Sequence, residues 1–403
     1  KNKLVQKFQV FRRLELEKDY KNIIYIVYYF VIMKIGIDAS RANNLQKTGV
    51  EWYAFNTIQE LKKIIPSTER VVLYTNKPLV GNLSDLPENW EEKVLHWFPK
   101  RFWTQIRLSL EMIFHRPDVL FIPAHVFPFI HPKKTVMTVH DIAAHKFPES
   151  YNSFERWYSL WSAKKALKKL WQIFVPSEFV KKELIKVFGD ENIKKIIVIP
   201  HGINENFEIE KDLGQIDYIL GEYNIKKPYL LSTGRIETKK NTTRIIEAFE
   251  ILKKDKKMHD LSLVLVGGNG FGHEQVEEKI EKSENKKDIK KLGWVESKDL
   301  PFILSGAEVF VFPSLYEGFG IPVLEAFASG VPAVISKESS LEEVSGGFAL
   351  ACDAKNVQNI VDTIKIFLSD NEIREKNIKS GLEQAKLFSW QKSAKEVWHS
   401  LSF

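Results

Sequence analysis

Short apolar runs alternate with longer amphipathic segments along most of this chain. Runs such as residues 71–74 and 229–232 are rich in β-branched and aromatic side chains, which is typical of buried strands. Residues 50–65 instead place apolar side chains three and four positions apart, the spacing of a helix with one buried face. This alternation predicts an α/β fold in which helices cover both faces of parallel sheets.

The same pattern locates the individual elements. Strands are predicted at residues 35–38, 71–74, 119–122, 134–139, 171–175, 196–199, 229–232, 261–266, 289–292, 309–312 and 334–335. Helices are predicted at residues 50–65, 103–114, 154–170, 242–252, 276–281, 300–305, 357–368 and 389–401, with one from about Pro322 to Gly330 and a further helix beginning near Ser177.

Two stretches interrupt this rhythm. Residues 78–100 contain several prolines and are predicted to form turns. Residues 203–223 are irregular and polar, so a domain boundary is predicted near residue 205. The predicted units are residues 1–32, 33–205, 206–385 and 386–403.

Residues 1–32 precede the first predicted strand and combine a charged stretch with the apolar run 23–32. That run is too short to span a bilayer, which needs roughly 20 apolar residues, and it lacks the small-residue cleavage site of a signal peptide. Two interpretations remain: an extension that adds nothing to the fold, which we favour, or a helix that lies on a membrane.

Composition narrows the class of protein. The chain has 403 residues, of which 44% are hydrophobic, enough for two cored domains and unlike a disordered chain. Its single cysteine, Cys352, permits no internal disulfide and favours a reducing, cytoplasmic setting. The net charge of +7 favours an anionic partner, whether a nucleotide, a nucleic acid or an acidic membrane.

The predicted helix at residues 154–170 combines tryptophans with lysines. A basic amphipathic helix of this kind can bind a membrane surface. It can equally be a core helix whose lysines face water, and we favour this second interpretation because a strand and another helix follow at once.

Residues 309–336 carry the most specific signal in the chain. A strand is followed by a glycine-containing loop, and a helix then begins near Pro322. Free N–H groups and the helix dipole make such an N-terminus suitable for an anion. Glu317 in the loop and Glu325 in the helix could each accept hydroxyl hydrogen bonds from a sugar ring.

The segment E-G-F-G-I-P-V-L-E-A-F-A-S-G-V-P-A-V within this stretch resembles the donor site of retaining glycosyltransferases of family 4. The resemblance covers about residues 33–400. It implies the GT-B fold, in which two Rossmann-like, doubly wound domains face each other across a cleft and the last helix crosses back to the first domain. It also implies that Glu317 contacts the donor hexose, that Glu325 contacts the ribose, and that N–H groups around Gly318, Phe319 and Gly320 contact hexose hydroxyls.

Positive charge is expected close to that loop. Arg235 and Lys240 follow a predicted strand directly, and ligands bind beyond the carboxyl ends of such strands. Their sequence context is similar to the family pattern G-R-x-x-x-x-K-N, which implies that they bind the diphosphate. Gly49, at the start of the first long helix, is the expected diphosphate contact from the other domain.

Several polar residues of the first half are further candidates. His140 ends a predicted strand, and the resemblance implies that it lies near the donor sugar. His125 is a second cleft candidate, and Arg41 and Asn43 could touch the acceptor. Because the sequence has no D-x-D pair after a strand and no His/Cys cluster with ligand spacing, no metal or other cofactor is expected.

These observations favour a retaining, metal-independent hexosyltransferase that uses GDP-mannose or a UDP-hexose. Its acceptor would be a saccharide or a lipid-linked oligosaccharide, with peripheral membrane contact and no nucleic acid partner. Two alternatives remain open: a phosphorylase or epimerase of the same fold, and a basic protein without enzymatic activity that binds lipid or nucleic acid.

Overall fold

A computed structural model describes residues 32–44, 46–98, 102–210 and 212–403 of the chain. Predictions that concern residues 1–31 therefore lie outside the described residues. Two separate parallel sheets organise the described part, one of seven strands in the order β3-β2-β1-β4-β5-β6-β7 and one of six in the order β10-β9-β8-β11-β12-β13. The expectation of two doubly wound Rossmann-like domains is confirmed.

The strands are short and mostly buried. They are β1 (Lys34–Asp38), β2 (Arg70–Thr75), β3 (Trp90–Val94), β4 (Val119–Ile122), β5 (Lys134–Thr138), β6 (Gln172–Val175), β7 (Ile196–Val198), β8 (Tyr229–Thr233), β9 (Ser262–Val266), β10 (Ile289–Gly293), β11 (Val309–Phe312), β12 (Ala333–Ser336) and β13 (Leu350–Cys352).

Helices connect these strands and cover both faces of each sheet. They are α1 (Gly49–Ile64), α2 (Leu108–Phe114), α3 (Ala143–Lys146), α4 (Ser153–Lys169), α5 (Glu178–Phe188), α6 (Leu213–Glu222), α7 (Thr242–Lys253), α8 (His273–Lys282), α9 (Leu300–Ser305), α10 (Ile321–Ala328), α11 (Ser340–Ser345), α12 (Val357–Ser369), α13 (Asn371–Ala385) and α14 (Trp390–Ser402). A π-helical turn, Trp103–Arg107, leads directly into α2.

The carboxyl ends of parallel strands share one edge of a sheet, and the loops that follow them position the polar residues of such folds. In the first sheet the loops after β1, β4 and β5 lie at this edge. In the second sheet the loops after β8 and β11 do so. The two edges face each other, so residues distant in sequence meet between the domains.

The last helix belongs to the core of the first domain rather than the second. Trp390, Ala394, Val397 and Leu401 of α14 pack with the buried residues of α1 and of the first sheet. Leu401 is fully buried there. The chain therefore crosses twice between the domains, which ties their relative positions.

Two sequence predictions are wrong in detail. The proline-rich stretch 78–100 contains edge strand β3, whose pairing with β2 the alternation did not reveal. The stretch 203–223, predicted to be irregular, contains α6, with a buried apolar face at Ile216, Ile219 and Leu220.

The favoured interpretation of α4, a core helix whose lysines face water, agrees with the structure, but the aromatic rings do not form its buried face. Its buried side is formed by the small residues Ser162, Ala163 and Ala166, with Leu167. Phe154 and Trp157 are instead exposed. Small side chains let the helix axis approach the sheet closely, and the aromatic rings then remain on the outer side.

No helix in the described part of the chain combines the length and the apolar character needed to cross a bilayer.

Candidate active site

The two domains touch at the loop that follows β11. The Oγ of Ser177, before α5, donates to the carbonyl of Gly318 at 2.7 Å. The hydroxyl of Tyr316 accepts from the N–H of Ile142 at 3.3 Å. A Cβ placed on Gly318 would lie 2.0 Å from the carbonyl oxygen of His140, so only glycine allows this approach. The loop predicted to bind the donor therefore lines the cleft.

Glu317 is held by two donors from its own domain. Its Oε1 accepts from the Nζ of Lys240 at 2.6 Å and from the Oγ of Ser314 at 2.6 Å. Both charged side chains are largely buried, with exposures of 16% for Lys240 and 13% for Glu317. A paired carboxylate and ammonium at this depth are fixed in position, and a ligand that approaches them meets one acceptor and one cation side by side.

The loop itself keeps donors available. The N–H groups of Gly318, Phe319 and Gly320 have no acceptor within the described residues. The carbonyls of Glu317 and Phe319, by contrast, have a donor, because the Oγ of Ser340 lies 2.8 and 2.9 Å from them. The fixed carbonyls hold the loop so that its free N–H groups precede α10, where a helix N-terminus favours negative charge or a hydroxyl oxygen.

Arg235 and Gly234 follow β8 next to this loop. Gly234 has φ +119°, a conformation that favours glycine, and Lys240 lies beside it, with its Nζ 3.7 Å from the position of an added Cβ. The guanidinium of Arg235 is exposed and has no partner among the described residues. A free guanidinium beside a buried ammonium offers five N–H donors and a second positive charge to an anion.

Glu325 lies on the first turns of α10 in a different environment from Glu317. Its side chain is half-buried and its carboxylate has no hydrogen-bond partner within the described chain. Burial raises the pKa of Glu325 to about 7. Burying a carboxylate without a hydrogen-bond partner is costly. Glu325 is therefore suited to accept hydrogen bonds from a bound ligand.

His140 belongs to a chain of hydrogen bonds that fixes its protonation. Its Nε2 lies 3.1 Å from the carbonyl oxygen of Pro123, which can only accept, so Nε2 carries the proton. Burial lowers the pKa of His140 to about 3, which keeps the ring neutral. Its Nδ1 then accepts from the Nε2 of His201 at 3.3 Å. The remaining nitrogen of His201, Nδ1, is buried without a partner.

Opposite charges from the two domains also meet in the cleft. Burial alone would lower the pKa of Lys239, but Asp141 of the first domain, with Glu317 and Glu237 of the second, raises it above its ordinary value. Burial alone would raise the pKa of Asp141, but Lys239 and the neighbouring histidines hold it below its ordinary value. Lys239 therefore pairs electrostatically across the cleft, whereas Lys240 contacts Glu317 in residues 313–320, the loop predicted to bind the donor, which we call the donor loop.

Two candidates of the first domain, Gly49 and Arg41, lie near the N-terminus of α1. Gly49 is the first residue of α1 and has open space around it, so an anion can approach the N-terminus of α1. The carboxylate of Glu51 already accepts from the N–H of Thr48 at 3.0 Å. It also lies 3.6 Å from Arg41, which is otherwise exposed.

Asn43 does not fit the acceptor role predicted for it. The side chain is 1% exposed, donates to the carbonyls of Lys77 and Pro78, and accepts from the N–H of Val80. It is saturated by the backbone that follows β2. His125 is close to the cleft, with its ring centroid 5.1 Å from that of His140.

Sequence reasoning missed the residues that support the site. Asn241, in the left-handed conformation, donates to the carbonyls of Pro313 and Ala354 at 3.0 and 2.6 Å and so joins two cleft loops. Ser177, Ser340 and His201 act similarly. In the sequence, each of these residues is only a polar residue close to the end of a strand. The contacts that it makes become visible only in the folded structure.

Two family models match the chain, one over each domain. The model described as Glycosyltransferase Family 4 matches residues 48–207, and that described as Glycosyl transferases group 1 matches residues 221–384. Their division falls between β7 and β8, where the first sheet ends and the second begins.

Curated relatives agree with these matches. The chain is 30% identical over 300 residues to O-antigen chain mannosyltransferase B of Escherichia coli, a match that covers 74% of this chain and 76% of that protein. It is 25% identical to O-antigen chain mannosyltransferase RfbU of Salmonella typhimurium, over 68% of this chain and 73% of that protein.

Solved structures share the architecture at lower sequence identity. The sucrose-phosphate synthase of Thermosynechococcus elongatus superposes with a TM-score of 0.72 at 16% identity, over 91% of this chain and 98% of that one. WaaG, a glycosyltransferase of lipopolysaccharide biosynthesis, superposes with a TM-score of 0.71 at 14% identity, over 91% and 99%. Anabaena HepE, solved with UDP-glucose, gives 0.71 at 15% identity, over 92% and 99%.

Two facing Rossmann-like domains, with a charged cleft between them, define an enzyme class of the GT-B type. With the family matches and the relative from Escherichia coli, the chain belongs to the GT-B glycosyltransferases.

Proposed function

We propose that this protein transfers a hexose from a nucleotide sugar to an acceptor hydroxyl with retention of anomeric configuration, in the synthesis of a polysaccharide or lipid-linked oligosaccharide. The observation that carries the proposal is the donor loop, with three free N–H groups between two differently held carboxylates. The free groups suit hexose hydroxyls, Glu317 suits the hexose, and the unpartnered Glu325 suits the ribose.

The diphosphate of the donor would bind the positive groups beneath this loop. Arg235 has no other partner among the described residues, and the ammonium of Lys240 has further N–H donors for a phosphate oxygen beside its contact with Glu317. The N-terminus of α1 at Gly49 would approach from the opposite domain. We propose that these fixed charges stabilise the leaving group without a divalent ion, since preorganised cations and N–H donors meet developing charge directly.

The reaction we propose takes place on one face of the sugar. The bond between C1 and the diphosphate oxygen breaks, and the bond between C1 and the acceptor oxygen forms on the same side. The acceptor proton passes to the departing diphosphate. His140, kept neutral and with both ring nitrogens engaged by Pro123 and His201, would support the wall of the cleft beside the donor sugar rather than act as the base.

The names of the mannosyltransferase relatives support mannose as the transferred hexose, whereas HepE, whose sequence identity is lower, was solved with UDP-glucose. We therefore propose GDP-mannose first and a UDP-hexose second. A cytoplasmic location with peripheral membrane contact agrees with an acceptor built on a lipid carrier, and we propose it as part of the same function.

The test is a panel of sugar nucleotides incubated with the full chain, with and without a membrane extract, in buffer containing EDTA. We expect acceptor-dependent release of a nucleoside diphosphate and an α-linked product from an α-linked donor, as read by NMR. A product with inverted configuration would refute retention, and activity only after addition of Mg²⁺ or Mn²⁺ would refute metal independence. Phosphate-dependent formation of a sugar phosphate, or a change of the donor sugar itself, would indicate the phosphorylase or the epimerase alternative.

A further inference from the structure

The outer face of the first domain carries a row of exposed apolar side chains at helical spacing. Residues of the π-helical turn and α2 turn one face inward, where Trp103, Leu108 and Met112 are buried. The opposite face presents large apolar residues, each at least 39% exposed. They are Phe102, Ile106, Leu110, Ile113 and Phe114.

A second row lies beside the first on α4 and the loop before β5. The rings of Trp157 and Trp161 stack at 5.9 Å with an interplanar angle of 24°, and Phe129 meets Trp161 at 6.1 Å. Phe154 begins this row and is exposed together with Trp157. Together, the side chains of the two rows form what we call the apolar ridge: Phe102, Ile106, Leu110, Ile113, Phe114, Phe129, Ile130, Phe154, Trp157 and Trp161.

The two rows are continuous. Phe102 contacts Phe154 with ring centroids 5.9 Å apart. The N–H of Ile130 donates to the Oγ of Ser109 in α2 at 3.2 Å. A groove of about 490 Å³ beside Trp157 and its neighbours opens on the same side. Soluble monomeric proteins rarely expose contiguous apolar surface of this extent, and where they do it usually marks an interaction site.

Positive charge continues the ridge along the same helix face. Positions 154, 157 and 161 of α4 are aromatic, and the positions that follow at the same spacing, 164 and 168, are lysines. Lys164, Lys165, Lys168 and Lys169 are exposed, as is Arg156 beside the groove, and none of the five has a carboxylate partner within the described residues. The surface is therefore apolar in its centre and cationic at its rim.

We propose that the apolar ridge and its cationic rim dock the protein on a bilayer that contains anionic lipid. Aromatic side chains prefer the interfacial zone of a bilayer, and aliphatic residues such as Ile106 and Leu110 gain by entering the acyl region. The free lysines then reach lipid phosphates. A second copy of this chain fits less well, because two-fold packing would bring like charges together, and a saccharide would leave the aliphatic row uncovered.

This surface lies directly behind the cleft. On the inner face of α4, the Oγ of Ser162 donates to the carbonyl of His125 at 2.7 Å, and His125 contacts His140. Ridge and cleft are thus separated by about the 10–12 Å diameter of one helix. The docking stands independently of catalysis, whereas the delivery of a lipid-linked acceptor to the cleft rests on the proposed function.

The experiment is flotation of the full chain with vesicles of phosphatidylcholine alone or mixed with phosphatidylglycerol. Two test variants are compared, Ile113→Ser/Trp157→Ser for the ridge and Lys164→Gln/Lys168→Gln for the rim. Matched controls on the second domain are Trp294→Ser, which is 51% exposed against 58% for Trp157, and Lys376→Gln/Lys379→Gln, exposed and without a carboxylate partner among the residues that the structure describes. Every variant keeps residues 1–32, so differences report on the substituted surface alone.

We expect the wild type to bind anionic vesicles in a salt-sensitive manner, and each test variant to bind about tenfold more weakly or worse. The controls should bind like the wild type, and all variants should keep its thermal midpoint. Nucleotide release from a soluble donor should not change in the ridge variant, which separates a failure of docking from a failure of the proposed function.

Four results would overturn the proposal. The first is a wild type that does not bind anionic vesicles, and the second is a loss of binding in the controls as large as in the test variants. A wild-type dimer that the ridge variant dissociates would assign the surface to self-association instead. Protection of Trp157 fluorescence by soluble oligosaccharide, without vesicle binding, would assign it to a saccharide.

Discussion

Gly318 and His140 lie in different domains, yet a Cβ on Gly318 would stand 2.0 Å from the carbonyl oxygen of His140. This contact joins the donor loop of the second domain to the end of β5 in the first. The atoms nearest to the added Cβ are the carbonyl group of His140 and the Cβ of Asp141. Neither moves when a side chain changes rotamer, so the clash cannot be relieved in that way.

We therefore expect Gly318→Ala to separate the domains locally and lower the initial rate of nucleotide release by at least about tenfold, because small displacements of positioned groups are costly. Gly221→Ala, where an added Cβ meets nothing within 4 Å, is the control and should keep full activity. An active Gly318→Ala enzyme would show that this contact is not made during turnover.

Arg235 and Lys240 should differ in what their removal does to the folded protein. Arg235 has no partner in the described part of the chain, so Arg235→Ala should reduce turnover by roughly 10²–10³-fold, the usual loss for one such contact, without lowering the thermal midpoint. Lys240→Ala should lower both, because Glu317 would remain buried without its cation.

The control for this pair is Arg70→Ala, since Arg70 is exposed at the opposite edge of the first sheet. It should match the wild type in initial rate and in melting. Near-normal turnover of Arg235→Ala would contradict the assignment of the diphosphate site.

Glu325 links donor binding to pH. Its pKa is raised by burial from 4.5 to about 7, so between these values the folded protein holds a proton that the unfolded chain has released. The free energy of unfolding therefore falls as pH rises through this window. At pH 8, Glu325→Gln should be more stable than the wild type by about 1–2 kcal/mol, a value reduced because the side chain is still partly exposed.

The same substitution should weaken donor binding at pH 8 and remove a rise in the wild-type KM as pH falls below 7. Urea unfolding and initial rates across this range measure the two effects, with the exposed Glu375→Gln as the control. Unchanged stability together with unchanged KM would remove Glu325 from the donor site.

Leu401 tests the packing of the last helix. It is fully buried in the core of the first domain, so Leu401→Ala should destabilise that domain by roughly 2–5 kcal/mol. Leu387→Ala, at a site that is 59% exposed, should change little. Thermal melting followed by tryptophan fluorescence distinguishes them, and equal midpoints would show that α14 does not stabilise the first domain.

The alternation of apolar runs and amphipathic segments was enough to determine the class of fold. Buried parallel strands need continuous apolar runs and their crossover helices need one apolar face, so both sheets could be predicted. Edge strand β3 could not, because the segment Trp90–Val94 pairs on one side only and alternates too little to stand out among prolines.

The donor segment could also be identified from the sequence, because its glycines, its carboxylates and the start of its helix lie within one short stretch of the chain. What only the tertiary structure decided are contacts between distant segments. The side-chain amide of Asn43 forms its hydrogen bonds with backbone groups 34 to 37 residues away. The ring of His140 is oriented by His201, which is 61 residues away in the sequence.

The helix α4 illustrates the physical reason most clearly. Its sequence contains two plausible faces, one of small residues and one of aromatic rings, and periodicity cannot choose which one packs inward. The close approach allowed by Ser162 and Ala166 decided it, because burial depends on the shape of the neighbouring surface as well as on the hydrophobicity of the side chain. Sequence determined which elements form, and packing determined which of their faces are left for a ligand or a partner.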